Sequence, residues 1–379
     1  MMTMSRRTVM SAALAAGAAS MMGSRAAAAA DSSFKAPTKE HPIIASFNEN
    51  PLGLSENARK AVAASIPNMN RYPFAKAEVL RKACADFIGG KPEEIALSQG
   101  SAEAIRASIE SLKAPGVQLV IPELTYSDGE MAAQRNGIPV VKVKMGPNWS
   151  IDIDGMKKAV ADHKGPSIVY FVNPNNPTGT IADCKKLADW IRSKPADTVF
   201  MLDEAYAEYV ADPAYVSMKV LVKEGLDNVI VLKTFSKLFA MAGLRLGFAY
   251  ACPALVKKVR EHIAYDIFMN VPAIEAALSE LNDPEFLKKS RSVNDEVRAM
   301  IEQALGELKI EYLPSQTNFI FFNLKAPLKP FADRMAAENI MVGRPFPPAD
   351  GWCRLSYTMP DDMAYIIGKM KEFRAKGWL

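Results

Sequence analysis

Residues 234–247 contain the side chains of this sequence that are best suited to covalent chemistry. Lys237 follows the hydroxyl residues Thr234 and Ser236, and Arg245 comes eight residues after it. A lysine amine can form a Schiff base with an aldehyde, while hydroxyls and a guanidinium can hold a phosphate group. A lysine taken alone would be a solvated surface charge, so this interpretation depends on the rest of the sequence.

Residues 198–206 place an acid and a tyrosine at the end of an apolar run. Asp203 ends that run, and a carboxylate there is costly to bury unless it meets a cation, for which a protonated pyridine nitrogen is suited. Tyr206, three residues later, could reach a ring hydroxyl. The alternative for Asp203 is an ordinary carboxylate that caps the next helix.

Two further turns contain groups that could hold the same ligand. Residues 173–179 follow an apolar run, and the amide of Asn176 could donate a hydrogen bond there, although such a density of Asn and Pro is also typical of a plain turn. Gly100 precedes a predicted helix start, so the backbone N–H groups of Ser101 and Ala102 could converge on a phosphate. A plain helix N-cap is the alternative at this position.

The elements that must position these residues follow from the pattern of apolar runs. Short apolar runs alternate with helical patterns through the middle of the chain, which predicts an α/β fold with a mostly parallel sheet flanked by helices. Ligands bind at the carboxyl ends of the strands in such sheets, and the residues named above all come just after the runs. After about residue 265, longer helical stretches and a few strands indicate a smaller α+β domain.

The predicted organisation has four parts, which are a signal peptide (1–30), an N-terminal arm (31–50), a large cofactor-binding domain (51–265) and a small C-terminal domain (266–379).

Five motifs in this order resemble pyridoxal-phosphate enzymes of the aspartate aminotransferase fold (fold type I, class I/II), and within them the histidinol-phosphate aminotransferase branch. The resemblance extends from about residue 44 to residue 379, which is nearly the whole chain after the predicted signal. The matching motifs are N-E-N-P-L-G (48–53), N-R-Y-P (70–73), N-P-x-N-P-T-G (173–179), D-E-A-Y (203–206) and T-x-S-K-x-F-x-x-A-G-L-R-x-G (234–247).

The resemblance implies pyridoxal 5′-phosphate as the cofactor and assigns catalytic roles to three residues. Lys237 matches the Schiff-base lysine, Asp203 the partner of the pyridine nitrogen, and Tyr206 a donor to the ring oxygen. Tyr72 matches a tyrosine that reaches the phosphate of a second subunit, which implies a homodimer. The other implied cofactor contacts are Asn176 at the ring oxygen, Tyr126 stacked on the ring, and Ser101, Ala102, Thr234, Ser236 and Arg245 at the phosphate.

The resemblance also places three residues near the substrate. Arg354 matches the arginine that binds the α-carboxylate, Asn318 an asparagine near the substrate, and Arg344 an arginine that could contact an acidic side chain. The implied reaction is transfer of an amino group between an amino acid, or a related amine, and a 2-oxo acid. A decarboxylase or lyase of the same fold is the alternative, and a non-catalytic pyridoxal-phosphate-binding protein is a more distant one. The sequence does not identify the amino donor or acceptor.

Composition excludes several other classes of protein. The 379 residues include 46 basic and 42 acidic side chains, a net charge of +4, so no basic surface for nucleic acid or anionic membrane is expected. The three histidines and four cysteines are scattered without a C-x-x-C pair, which makes a dedicated zinc or iron-sulfur site unexpected.

The N-terminus predicts export. Residues 4–30 contain Arg6 and Arg7, then a short Ala-rich apolar stretch, then small residues suited to cleavage, which together are typical of a signal peptide and resemble a twin-arginine signal. The apolar stretch is too short and interrupted for a membrane anchor, so we expect a periplasmic protein without stable membrane association. An exported enzyme is separated from cytosolic histidine synthesis, which argues against histidinol phosphate as its substrate.

Overall fold

A seven-stranded sheet lies at the centre of the computed structural model, which describes residues 34–264 and 267–379. Residues 37–379 form one compact unit, and residues 34–36, taken by themselves, have no regular secondary structure. The predicted signal peptide lies outside the described residues. The strands are β1 (Ile43–Ala45), β2 (Ile95–Ser98), β3 (Gln118–Pro122), β4 (Val140–Val143), β5 (Ser167–Val172), β6 (Thr198–Asp203), β7 (Val229–Thr234), β8 (Gly247–Ala251), β9 (Tyr312–Leu313), β10 (Phe319–Asn323), β11 (Ile340–Val342) and β12 (Trp352–Ser356).

Helices surround these strands on both faces of the central sheet. Within the described residues the α-helices are α1 (Glu56–Ser65), α2 (Phe74–Ile88), α3 (Ser101–Ser111), α4 (Asp128–Arg135), α5 (Ile153–Ala161), α6 (Cys184–Arg192), α7 (Lys219–Lys223), α8 (Pro253–Arg260), α9 (Val271–Leu281), α10 (Pro284–Glu307), α11 (Leu328–Ala337) and α12 (Pro360–Ala375). None of these helices has both the length and the apolar character that a membrane span requires.

The central sheet has the strand order β2-β8-β7-β6-β5-β3-β4. Strands β3 to β7 run parallel to one another, and only β8 is antiparallel, to β7 on one side and β2 on the other. This confirms the predicted α/β fold with a mostly parallel, helix-flanked sheet. Because β5, β6 and β7 are parallel, the loops that follow them emerge at one edge of the sheet.

Apolar side chains cover both faces of this sheet. Along β6, Phe200 and Leu202 pack into one core with α2, α6 and α9, whereas Met201 packs into the opposite core with α3, α4 and α8. Successive side chains of a strand point to opposite faces, so a strand buried on both faces is apolar along most of its length. This explains the apolar runs in the sequence.

Two smaller sheets follow in the C-terminal third of the chain. Strands β9, β10 and β12 form an antiparallel sheet, and β11 pairs in parallel with β1 from the predicted N-terminal arm. Ile43 and Ala45 of β1 are buried in the core that α10, α11 and α12 form with these strands. The segment after β1 is thereby held between the C-terminal sheets and the central sheet. The division of the chain near residue 265 stays a prediction.

Candidate active site

The loops at the carboxyl edge of the central sheet line a cavity of about 330 Å³. This volume is at the lower end of the roughly 300–1,000 Å³ that small-molecule sites occupy. Twelve of the residues singled out from the sequence line it, which are Ser101, Ala102, Tyr126, Asn176, Asp203, Tyr206, Thr234, Ser236, Lys237, Arg245, Arg344 and Arg354. The parallel topology explains this convergence, because it brings the ends of β5, β6 and β7 to the same edge.

One end of the cavity is built to attract an anion. Helix α3 begins at Ser101, directly after Gly100 with a φ of 80°. Arg245, itself in the left-handed region with a φ of 55°, donates from Nη1 to Ser236 Oγ at 3.3 Å, and Ser236 Oγ accepts from Thr234 Oγ1 at 3.0 Å. With a ψ of 165° as well, Gly100 has a backbone conformation that only glycine adopts readily, and a Cβ there would also displace the Arg245 guanidinium. A helix N-terminus beside a guanidinium is a favourable site for phosphate.

Asp203, at the end of β6, is a buried carboxylate with a raised pKa. Its side chain is 2% exposed and accepts hydrogen bonds from Tyr170 OH at 2.8 Å and from the backbone N–H of Ala205 at 3.1 Å. Burial raises the pKa of Asp203 to about 6, and these two hydrogen bonds oppose the rise. Asp203 forms no ion pair with any described residue. A cationic group of a ligand would therefore be strongly stabilised beside it.

Lys237, in the loop after β7, has an amine that is easily deprotonated. Its Nζ donates to the backbone carbonyls of Phe47 at 3.2 Å and Asn48 at 3.1 Å. Burial lowers the pKa of Lys237 to about 8, and the positive charge of Arg354 contributes to the lowering. A substantial fraction of the amine is thus neutral near pH 8, the form that attacks an aldehyde.

The hydroxyl of Tyr206 lies between two amide side chains. Asn48 Nδ2 donates to Tyr206 OH at 3.0 Å, and Asn176 Nδ2 approaches the same oxygen at 3.5 Å. Burial raises the pKa of Tyr206 to about 12, so the hydroxyl keeps its proton at neutral pH. Tyr126 also lines the cavity, is half-buried and donates to Asp128 Oδ2 at 2.9 Å. An aromatic ring in the wall of a cavity can stack on a planar ligand.

Two arginines lie at the other end of the cavity. Arg354, on β12, is 8% exposed and donates to Asn176 Oδ1 and to the backbone carbonyl of Ser46, both at 2.7 Å. The exposed guanidinium of Arg344 lies 4.4 Å from the ring centre of Phe346, and that of Arg354 lies 4.8 Å from the same ring. Arg354 forms no ion pair with any described residue, and its Nε has no hydrogen-bond partner there. This end of the cavity can therefore accept a carboxylate.

Two residues predicted to be in the site do not line the cavity. Asn318 is buried beneath the wall, where its Nδ2 donates to the backbone carbonyls of Asn48 at 2.9 Å and Glu49 at 3.3 Å. Tyr72 is 76% exposed, and its ring centre lies 5.3 Å from that of Phe268 and 5.7 Å from that of Phe74. Asn318 thus supports the cavity within the chain, and Tyr72 faces outward.

Several residues of the cavity and its supports were not predicted from the sequence. Phe47, Glu49, Thr125 and Phe346 line the cavity, although no role was predicted for them. Asn48 also lines the cavity, and its backbone N–H donates to Ser356 Oγ. The motif N-E-N-P-L-G marked Asn48 as part of the resemblance without suggesting what it contacts.

Comparison with known proteins places the chain in a family. Residues 42–369 match the family Aminotransferase class I and II. A histidinol-phosphate aminotransferase from Granulibacter bethesdensis is 36% identical over 341 residues, which cover 89% of this chain and 88% of that protein. A solved structure from Erwinia carotovora atroseptica, provisionally named a histidinol-phosphate aminotransferase, is 46% identical with a TM-score of 0.90, and the match covers 92% of this chain and 100% of that one.

The fold is also shared with a more distant structure. Histidinol-phosphate aminotransferase from Sinorhizobium meliloti, solved in complex with pyridoxal-5′-phosphate, is 23% identical with a TM-score of 0.81, covering 87% of this chain and 90% of that one. The match to the family extends over most of the chain, and the cavity contains an amine, a buried acid and an anion site suited to the family's cofactor. The chain belongs to the class I and II aminotransferase family, and its cofactor is pyridoxal 5′-phosphate.

Proposed function

We propose that this aminotransferase transfers an amino group between an amino acid, or a related amine, and a 2-oxo acid through the amine of Lys237. The strongest support is that one cavity contains both Lys237, whose pKa is lowered, and the buried carboxylate of Asp203. Asp203 forms no ion pair with any described residue. The cavity fits pyridoxal phosphate because Asp203 suits a protonated ring nitrogen and the start of α3 with Arg245 suits the phosphate.

When bound, pyridoxal phosphate supplies an aldehyde that reacts with amines and a ring that accepts electrons from the substrate's α-carbon. Asp203 keeps a proton on the ring nitrogen, and Tyr206 with Asn176 binds the ring oxygen. Arg354 orients the substrate by its α-carboxylate. The neutral amine of Lys237 would then remove the proton from the substrate's α-carbon and, as the resulting ammonium, return it to the carbon supplied by the cofactor's aldehyde.

Peptide mapping after borohydride reduction tests the role of Lys237. The reduced cofactor label is expected on the peptide that contains Lys237, and Lys237→Ala is expected to lose both the label and keto-acid release. Lys185→Ala, at an exposed lysine paired with Asp189, is the matched control and should keep both. A label on any other lysine would overturn the assignment.

We propose an amino acid with an acidic side chain as one substrate class, because Arg344 adds a second guanidinium at the substrate end of the cavity. Arg344→Met should raise KM for acidic amino acids while leaving neutral ones nearly unchanged. A screen of keto-acid release across amino acids tests this proposal. The same screen, with product analysis, distinguishes transamination from decarboxylation or elimination, since those reactions release carbon dioxide or an unsaturated product.

We further propose that the protein is a homodimer in which Tyr72 reaches the phosphate of the neighbouring subunit. Tyr72 and Phe74 are exposed aromatic residues in contact with each other, and Ile66 and Met69, a few residues earlier in the chain, are 59% and 44% exposed. Several exposed apolar side chains within one short segment are typical of an interface. Sedimentation should show a dimer at assay concentration. A fully active monomer would exclude this arrangement.

Export to the periplasm through the twin-arginine route is also a proposal, and it rests on residues 4–30 of the sequence. The cofactor would then bind before export, since this route transports folded proteins.

A further inference from the structure

Asn48 joins four parts of the chain at the edge of the cavity. Its side chain contacts Tyr206 and Ser356, and its carbonyl accepts from Lys237 at 3.1 Å and from Asn318 at 2.9 Å. The residue is 2% exposed and has a φ of 55°. A non-glycine residue in a left-handed backbone conformation persists only when its surroundings fix it, as these four contacts do.

The contacts of Ser356 determine which way the Asn48 amide points. Ser356 Oγ accepts from the backbone N–H of Asn48 at 2.9 Å and lies 2.8 Å from Asn48 Oδ1. The hydroxyl proton has no other acceptor among the described residues, so it donates to the side-chain oxygen of Asn48. The Asn48 nitrogen must therefore face Tyr206.

A similar constraint acts on the second amide at Tyr206. Arg354 Nη1 is a donor only, and it contacts Asn176 Oδ1 at 2.7 Å. The nitrogen of Asn176 consequently faces Tyr206 OH, at 3.5 Å. Two N–H donors thus approach the Tyr206 oxygen from within the protein.

A phenolic hydroxyl has one proton to donate and an oxygen that accepts. Because the protein side presents only donors to the Tyr206 oxygen, no described residue accepts the Tyr206 proton. Tyr206 lines the cavity, so the proton is left to point into it.

We infer that Asn48, oriented by Ser356, is a positioning residue that directs the Tyr206 proton into the cavity and thereby makes Tyr206 a hydrogen-bond donor to the ring oxygen of the cofactor. The inference deepens the proposed function and rests on it. It assigns to Asn48 a role in ligand recognition that it performs through Tyr206.

The variant Asn48→Asp tests the direction of this hydrogen bond with little change of shape. Aspartate tolerates a positive φ, and one of its oxygens can still accept from Ser356. The other oxygen stands where an N–H donor faced Tyr206, and it accepts a hydrogen bond from the Tyr206 hydroxyl. The phenol oxygen would then present only lone pairs to the cavity.

The experiment measures binding of two compounds to cofactor-free protein by calorimetry. The probes are pyridoxamine 5′-phosphate and its 3-deoxy analogue, in which hydrogen replaces the ring hydroxyl, and neither needs a covalent bond to Lys237. The wild-type protein is expected to prefer the first by about tenfold or more, as for a hydrogen bond to a charged group. Asn48→Asp should lower that preference to the part that Asn176 supplies, and Ser356→Ala should lower it by less, with little change in affinity for the deoxy analogue.

Glu49→Gln is the matched control, since it changes the charge of the same rim without altering any hydrogen bond to Tyr206. It should retain the preference. A wild-type preference that survives unchanged in both Asn48→Asp and Ser356→Ala would overturn the role of Asn48, as would the absence of any preference in the wild type. Failure of the wild type to bind either compound would instead overturn the proposed function. Thermal unfolding of each variant identifies any protein that fails to fold. If Asn48→Asp does not fold, the preference measured for Ser356→Ala tests the role of Asn48.

Discussion

Gly247 is the position at which one added methyl group should damage the anion site most directly. It is the first residue of β8 and pairs with Thr234 on one side and Ser98 on the other. A Cβ at Gly247 would lie 2.7 Å from the carbonyl oxygen of Lys233, 2.8 Å from the carbonyl carbon of Gly100 and 2.8 Å from the nitrogen of Ser101. Ordinary contacts of a Cβ begin at 3.4 Å, so these backbone atoms would have to move by about 0.6–0.7 Å.

The expected magnitude follows from which atoms must move. Crowding of this kind in a packed structure costs about 1–3 kcal/mol of the free energy of unfolding. The displaced nitrogen of Ser101 belongs to the start of α3, where we place the cofactor phosphate. Loss of one hydrogen bond to a charged group, about 1.5–3 kcal/mol, corresponds to roughly tenfold to hundredfold weaker binding.

Urea unfolding of the cofactor-free protein and titration with pyridoxal phosphate measure the two effects of Gly247→Ala separately. Gly243→Ala is the matched control, because it lies in the loop just before β8 and a Cβ there has no heavy atom within 4 Å. The control should change neither quantity measurably. If Gly247→Ala behaves like Gly243→Ala in both assays, the close contact between β8 and the start of α3 does not determine phosphate binding.

Three further predictions concern charge and location. In the cofactor-free protein, the rate at which a small amine-reactive reagent acylates Lys237 should be half-maximal near pH 8, since burial lowers the pKa of this lysine. Peptide mass spectrometry measures this rate, and a midpoint near the ordinary value of about 10.4 would contradict the lowered pKa. The folded protein binds the Asp203 proton more tightly than the unfolded chain does, with a pKa of about 6 against 3.8, so this carboxyl makes the free energy of unfolding fall as pH rises from 3.8 to about 6 and contributes no further slope above that. Asp203→Asn should remove that part of the pH dependence in urea unfolding, and an unchanged slope would exclude it. Replacing Arg6 and Arg7 by lysine should leave an active, uncleaved precursor in the cytoplasm, and cell fractionation that finds continued export would indicate a different route.

The central sheet was predictable because its strands are buried on both faces. Residues 199–202 and 229–232 are continuous apolar runs, and they are followed by Asp203 and, after Lys233, by Thr234. Parallel strands with buried faces place those ends at one edge, so the sequence alone indicated that Asp203 and Lys237 lie near each other. The three-residue strands β1 and β11 were not predicted, since elements this short have no recognisable periodicity.

The amino-acid sequence by itself determined the sheet, the residues at its carboxyl edge and the family resemblance, because each is recorded in local pattern or in a motif. Only the tertiary structure decided how the N-terminal segment closes the cavity. Asn48 and Ser356 are 308 positions apart, as are Ser46 and Arg354, and the pairing of β1 with β11 brings the segment into reach. Periodicity reports which face of an element is buried, but a hydrogen bond between distant segments depends on packing of the whole chain, and local pattern does not encode it.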